Sequence, residues 1–151
     1  MDFDEVIRAK NAVIIVDTLP VLELIPSRIR QVFQNLISNA LKFSKTDVAP
    51  VIRINACFIK TKELEGEPSP DGKYCRIELT DNGIGFDEKF LDRIFVIFQR
   101  LNERTSYEGT GIGLAIAKKN IEKHNGLISA KSRLGEGATF IIVLPRQQTG
   151  E

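Results

Sequence analysis

Four polar side chains, Gln31, Asn35, Asn39 and Lys42, recur along "RQVFQNLISNALKF" at steps of four, four and three residues. At 100° per residue they fall in one narrow stripe of an α-helix. Asparagine is a mediocre helix former, so two of them stacked one turn apart ask for a reason. One reason is a solvated helix face. The other is an amide pair whose oxygens ligate a hard cation such as Mg²⁺, with Lys42 one turn on to meet phosphate. Phe43 lies at the edge of the stripe, where a flat ring could pack against a base.

The second candidate is "DNGIGF", residues 81–86. Asn-Gly between strand-like runs is a hairpin signal. A hairpin predicts that polar alternation resumes after Gly83, but Ile84, Gly85, Phe86 and a helical stretch follow instead. The second glycine then permits close approach to the backbone. Asp81 is placed to accept a hydrogen bond from an exocyclic amine.

The third is "EGTGIGLAIAKK", where Gly109, Gly111 and Gly113 open directly into a helix around Thr110. Free backbone N–H groups at a helix N-terminus suit phosphate. The alternative is a flexible hinge with a cap. The spacing is neither the dinucleotide fingerprint nor a Walker A loop, since no Gly-Lys-Ser/Thr follows.

These stretches must be carried by regular elements. "DEVIRAK" reads as a short helical stub, and "AVIIVDTLPVLEL" as extended segments broken at Pro20. Ile29, Val32, Phe33, Leu36, Ile37 and Ala40 recur at helical spacing, with Ser27 as the expected N-cap. "PVIRINACFIKTKEL" and "YCRIELTD" alternate as neighbouring strands around the polar loop "EGEPSPDGK". A short helix over "DEKFLDRIFVIF" precedes a charged stretch, "QRLNERTSYEGTG", expected to be mobile. A second long helix closes at Gly126, and "LISAKS" and "ATFIIVLP" form a terminal hairpin. The order argues for an α+β two-layer sandwich, helices on one face of a mixed, mostly antiparallel sheet.

Bulk composition is permissive. The 151 residues fit one domain, and hydrophobic (42%) and charged (27%) contents are ordinary for a globular chain. Lys and Arg number 21 against 20 acidic residues, which argues against non-specific nucleic-acid or membrane binding. Cys57 and Cys75 lack metal-site spacing and suit buried free thiols in a reducing compartment. No apolar run reaches spanning length and no signal-peptide layout opens the chain, so the expected location is cytoplasmic.

In order and spacing the three stretches resemble the catalytic, ATP-binding domain of sensor histidine kinases, within the Bergerat-fold ATPase and kinase group. "NLISNALKF" is similar to that family's N box, "DNGIGF" to its first glycine box, "IFVIFQRL" to its phenylalanine box and "GTGIGLAIAKK" to its second glycine box. "HNGLISAKSRLGEGATFIIVLP" resembles its closing strands. The resemblance implies a Bergerat fold with an ATP lid, the cofactors ATP and Mg²⁺, and the domain over residues 12–146. Residues 1–11 would be the remnant of a preceding helix and residues 147–151 a tail.

Residue by residue, the resemblance implies that Asn39 ligates Mg²⁺, with Asn35 supporting or sharing the metal. Lys42 would contact phosphate and Phe43 would pack on adenine. Asp81 would accept from the adenine amine, with Gly83 and Gly85 keeping the pocket open. Phe95 and Phe98 would anchor the lid, and Arg100 would meet γ-phosphate charge. Gly109, Thr110, Gly111 and Gly113 would form the hinge and phosphate nest. Leu114 would wall the pocket, and Thr139 would contact adenine through water.

Hydrolytic members of the group carry a glutamate one turn before the metal-binding asparagine. Here Asn35 stands there and cannot act as a base. The expected reaction is therefore transfer of the γ-phosphate to a histidine rather than to water. The chain's one histidine, His124, ends the second long helix without the acidic follower of a phosphoacceptor, and a capping or dipole role is expected for it. The acceptor histidine would lie in a dimerisation domain outside this chain, and a response regulator receiver domain would follow. The rival readings are an ATPase of the same fold group and a non-catalytic nucleotide-binding docking module.

Overall fold

The computed structural model describes residues 3–95 and 111–148. Helix α1 (Phe3–Lys10) leads into strand β1 (Val13–Val16), and an irregular segment then reaches helix α2 (Pro26–Lys42). Strands β2 (Val51–Ile59) and β3 (Tyr74–Asp81) follow, then a 3₁₀ turn (Glu88–Phe90) and the one-turn helix α3 (Leu91–Ile94). Helix α4 (Gly111–Lys123) and strands β4 (Leu127–Ser132) and β5 (Ala138–Pro145) close the chain.

The five strands form one sheet in the order β1-β2-β3-β5-β4. Among the described residues only β1 and β2 pair in parallel; the other three ladders are antiparallel. The irregular residues 17–25 and α2 make the β1–β2 crossover, which a parallel pair requires. This is the two-layer α+β arrangement expected from the order of elements.

The apolar stripe of α2 is what attaches it. Ile29, Val32, Leu36, Ala40 and Leu41 are buried against the sheet face carrying Ile52, Ile54, Ile77, Leu79, Phe140 and Ile142. Each large aliphatic side chain fully buried there contributes about 1.5–3 kcal/mol. The stripe therefore outweighs the asparagines' modest helix propensity. Ile141 and Val143 on the opposite face of β5 are also buried. Loop 60–73 crosses that face: Arg76 Nη1 on β3 donates to the carbonyls of Leu64 and Gly66, and Glu65 pairs with Lys131 on β4. The sheet is thus helix-covered on one side and loop-covered on the other.

Two helix ends differ from expectation. Ser27 is not the N-cap of α2; the helix begins at Pro26 with Ile25 as its cap residue and no side-chain cap bond. Proline at the first position lacks an N–H to satisfy, so a side-chain cap is less needed. At the end of α4 the left-handed residue is Asn125 (φ 60°), not Gly126. Gly126 is required for another reason, because a Cβ there would lie 2.5 Å from the Val143 carbonyl oxygen.

Candidate functional site

Asp81 ends β3 on the helix side of the sheet, between Ile52 of β2 and Ala138 of β5. Only 9% of it is exposed. Its Oδ1 accepts from the Gly83 N–H at 2.8 Å. Burial raises the carboxyl above the usual aspartate range, and the backbone N–H groups of Gly83 and Ala138 oppose that only in part. Among the described residues this buried carboxylate has backbone partners and no cationic one, a costly arrangement for stability and a suitable one for reading a ligand amine.

The loop after Asp81 is held from three sides. Ile84 N–H donates to the Phe43 carbonyl at the C-terminal end of α2 (2.9 Å), and the Ile84 carbonyl accepts from Gly135 N–H (2.7 Å). Ser132 Oγ accepts from Phe86 N–H and donates to the Gly137 carbonyl. Asn82 bridges to Val51 N–H and the Ala49 carbonyl, tying the loop to the start of β2. Gly83 is forced by its neighbours, since a Cβ would sit 2.5 Å from the Phe43 carbonyl oxygen. Gly85 has φ +68°, and a Cβ there would meet the Arg133 carbonyl at 2.3 Å. What approaches Gly85 is the chain's own β4–β5 turn. Gly85→Ala is expected to cost about 2–4 kcal/mol in a urea titration, from left-handed strain plus the clash. A loss below 0.5 kcal/mol would mean the turn moves away freely.

Asn39 and Lys42 project from the last turns of α2, next to this loop. Asn39 is half-buried and Lys42 exposed. Among the described residues the Asn39 amide makes no hydrogen bond. Asn35, one turn earlier, donates from Nδ2 to the Gly113 carbonyl at 3.1 Å, which leaves its oxygen alone for a cation. The polar stripe is only partly solvated: Gln31 and Lys42 are exposed, but its N-terminal part meets α4, where Asn120 Nδ2 donates to Gln31 Oε1 (3.0 Å). Gly111 opens α4 and Leu114 is buried in the core below it. Phe95 is buried edge-on against Phe140, ring centroids 6.2 Å apart. Phe98, Arg100, Gly109 and Thr110 lie outside the described residues.

Thr139 does not lie on the face expected of an adenine contact. Strand side chains alternate between faces, and Thr139 pairs with Thr80, its hydroxyl 3.1 Å from that of Thr80, on the face turned away from Asp81. Ala138 is the β5 residue beside Asp81.

His124 has a role beyond capping its own helix. It is 1% exposed. Nε2 accepts from the Ile25 N–H at 2.9 Å, which places the ring proton on Nδ1, 2.8 Å from the Asn120 carbonyl it donates to. Both ring nitrogens are engaged, so His124 presents no nucleophile to solvent. His124→Ala should cost about 2–4 kcal/mol by chemical denaturation, from a cavity and two lost bonds. Phosphorylation of the chain should not change with it; loss of a phosphohistidine signal would make His124 an acceptor.

Sequence reasoning missed Ser132, Asn82, Asn120 and Arg28, which hold the site from outside. Of these Asn82 stood in the Asn-Gly pair, and Asn120 is an amide one helical turn after Ile116 and Ala117.

A buried acceptor at a strand end, a polar helix stripe on α2 and a second helix whose start is tied to that stripe fit the layout of a nucleotide-binding ATPase fold. The chain belongs to the family of Histidine kinase-, DNA gyrase B-, and HSP90-like ATPases, which matches residues 25–148. It is 49% identical over 129 residues to Cyanobacterial phytochrome A of Nostoc sp. strain PCC 7120, covering 85% of this chain and 15% of that protein. Identity to Sensor protein kinase WalK of Staphylococcus aureus is 37% over 125 residues, 82% of this chain and 27% of that protein. The catalytic domain of histidine kinase ThkA superposes with a TM-score of 0.72 at 27% identity, covering 97% of this chain and 86% of that domain. The match is to the catalytic ATPase part of histidine kinases, and the chain spans about a quarter or less of the length of the two relatives. Among the described residues, no helix is long and apolar enough to cross a membrane.

Proposed function

We propose that this chain binds ATP with Mg²⁺ and donates the γ-phosphate to a histidine on a dimerisation and phosphoacceptor domain, for relay to a response regulator receiver domain in the cytoplasm. The observation that carries the reading is Asp81, a buried acceptor with no cationic partner among the described residues, at the end of β3 beside the 82–86 loop and β5. Its acceptor oxygens suit the adenine amine, while Phe43 at the end of α2 suits the ring. Phosphates would extend along α2 past Asn39 and Lys42 toward the start of α4.

The donors present fit Mg²⁺ that arrives chelated by phosphates, because amide oxygens complete such a shell and no cluster of three His, Cys, Asp or Glu stands among the described residues. When bound, the metal neutralises charge that builds on the transferring group. The protein's own part is positioning. Lys42 adds a cation, and Asn35, tied to Gly113, holds the α4 start against α2 without offering a base to water.

The test is thermal unfolding with ATP, ADP and GTP, with and without Mg²⁺, followed by transfer from γ-labelled ATP to a separately supplied phosphoacceptor domain. A ligand selective for the folded state adds about 2.7 kcal/mol at a hundredfold excess over its dissociation constant. Adenine-selective, Mg²⁺-aided stabilisation with label on the acceptor histidine is expected. Steady phosphate release without an acceptor would instead identify an ATPase.

A further inference from the structure

Helices α2 and α4 run antiparallel, and their contact carries polar bonds at three heights. Ile25, just ahead of α2, meets His124, just after α4; Arg28 meets Asn120; Asn35 meets Gly113. As one index climbs from 25 to 28 to 35 the other falls from 124 to 120 to 113, so all three bonds belong to one axial register. The middle tie is the most committed. Asn120 is 4% exposed. Its Oδ1 accepts from Arg28 Nη1 at 3.2 Å, and its Nδ2 donates to Gln31 Oε1 at 3.0 Å and the Arg28 carbonyl at 3.4 Å.

Apolar contacts between helices tolerate sliding, whereas a buried amide with all its partners on one neighbour does not. A slip of one turn moves groups 5.4 Å, beyond any hydrogen bond. A single buried polar side chain fixing register is the best-attested use of such groups. The two partners of Asn120 are not trapped: Arg28 is half-buried and Gln31 exposed, so both reach water if released. The tie therefore contributes little to stability relative to an apolar residue. Its effect is on alignment.

We infer that Asn120 is a positioning residue for nucleotide binding. By locking α4 against α2 it sets the height of Gly113 relative to Asn35, and hence of the glycine-opened end of α4 relative to Asn39 and Lys42. This rests on the proposed function for its ligand, but the register lock itself is visible without nucleotide.

The test compares the parent chain with Asn120→Leu and with the double variant Asn120→Leu, Gln31→Leu, which replaces the polar tie by an apolar contact. Three quantities are read: the urea midpoint, backbone hydrogen exchange at residues 113–116 at equal global stability, and the dissociation constant for ATP with Mg²⁺. The double variant should keep the parent's midpoint, exchange at least tenfold faster at the start of α4, and bind ATP at least tenfold more weakly. A merely structural role would move the midpoint and leave exchange and affinity in step with it. Parent-like exchange and parent-like ATP affinity in the double variant would overturn the inference. If the parent itself binds no ATP, the functional reading fails, and unchanged or accelerated exchange alone decides the register lock.

Discussion

Asp81→Asn should weaken ATP binding by roughly 5- to 150-fold while raising the unfolding temperature of the nucleotide-free chain at pH 7. The first effect follows from exchanging an acceptor for an amide that can turn a donor toward the adenine amine, a loss of about 1–3 kcal/mol. The second follows from linkage. Burial raises the Asp81 carboxyl in the folded chain, so the folded state holds its proton more tightly than the unfolded state. That contribution is fully present below the ordinary aspartate range and is lost as pH rises through the raised folded value. Once Asp81 is ionised, the folded chain carries a desolvated carboxylate that the neutral amide would not. Asn retains an oxygen for the Gly83 N–H that Asp81 now accepts from. The stability gap should thus open between acid and neutral pH and close on acidification, in thermal scans from pH 3 to 8. Equal binding of ATP by parent and variant would remove Asp81 as the reader of the base. A variant less stable than the parent at pH 7 would show that the backbone bonds to the carboxylate outweigh its burial.

Asn39→Ala should leave the fold intact and make ATP binding indifferent to Mg²⁺. Alanine is the better helix former by about 0.5 kcal/mol, and the Asn39 side chain makes no hydrogen bond among the described residues. Stability should therefore stay level or rise slightly. What is removed is the amide oxygen proposed to complete the coordination of a phosphate-bound cation. Titrations of ATP with Mg²⁺ and with EDTA check this directly. A retained Mg²⁺ effect would move the metal to Asn35 or off α2 altogether.

The placement of α2, the neighbouring strands β2 and β3 and the terminal hairpin were legible from periodicity and turn residues, whereas the β1–β2 and β3–β5 ladders were not read from the sequence. Asp81 stood out because its glycines do not continue as a hairpin should, and its place at a strand end followed from the alternation before it. Other features depend on partners distant in sequence. The entry of α2 is met by His124, 99 positions away, and no local pattern encodes that. The rule of two faces per strand was available for Thr139, but the register that decides its face comes from the turn at residues 133–137. There Gly137 has φ +82°, and a Cβ would lie 2.0 Å from the Asp81 carbonyl oxygen. Gly85 was read as making room for a ligand, and the room is taken by the Arg133 carbonyl. Glycine announces a close approach without saying what approaches.

His124 carries one more consequence. With its single imidazole sealed and bonded at both nitrogens, this chain has nothing of its own to phosphorylate under the proposed function, and its turnover becomes an encounter problem. In dilute solution the rate should rise in proportion to added acceptor domain. A covalent tether would replace that dependence with a fixed local concentration, in the millimolar range for short flexible linkers. Control over when a phosphoryl group moves would then reside in whatever sets the distance between the two domains.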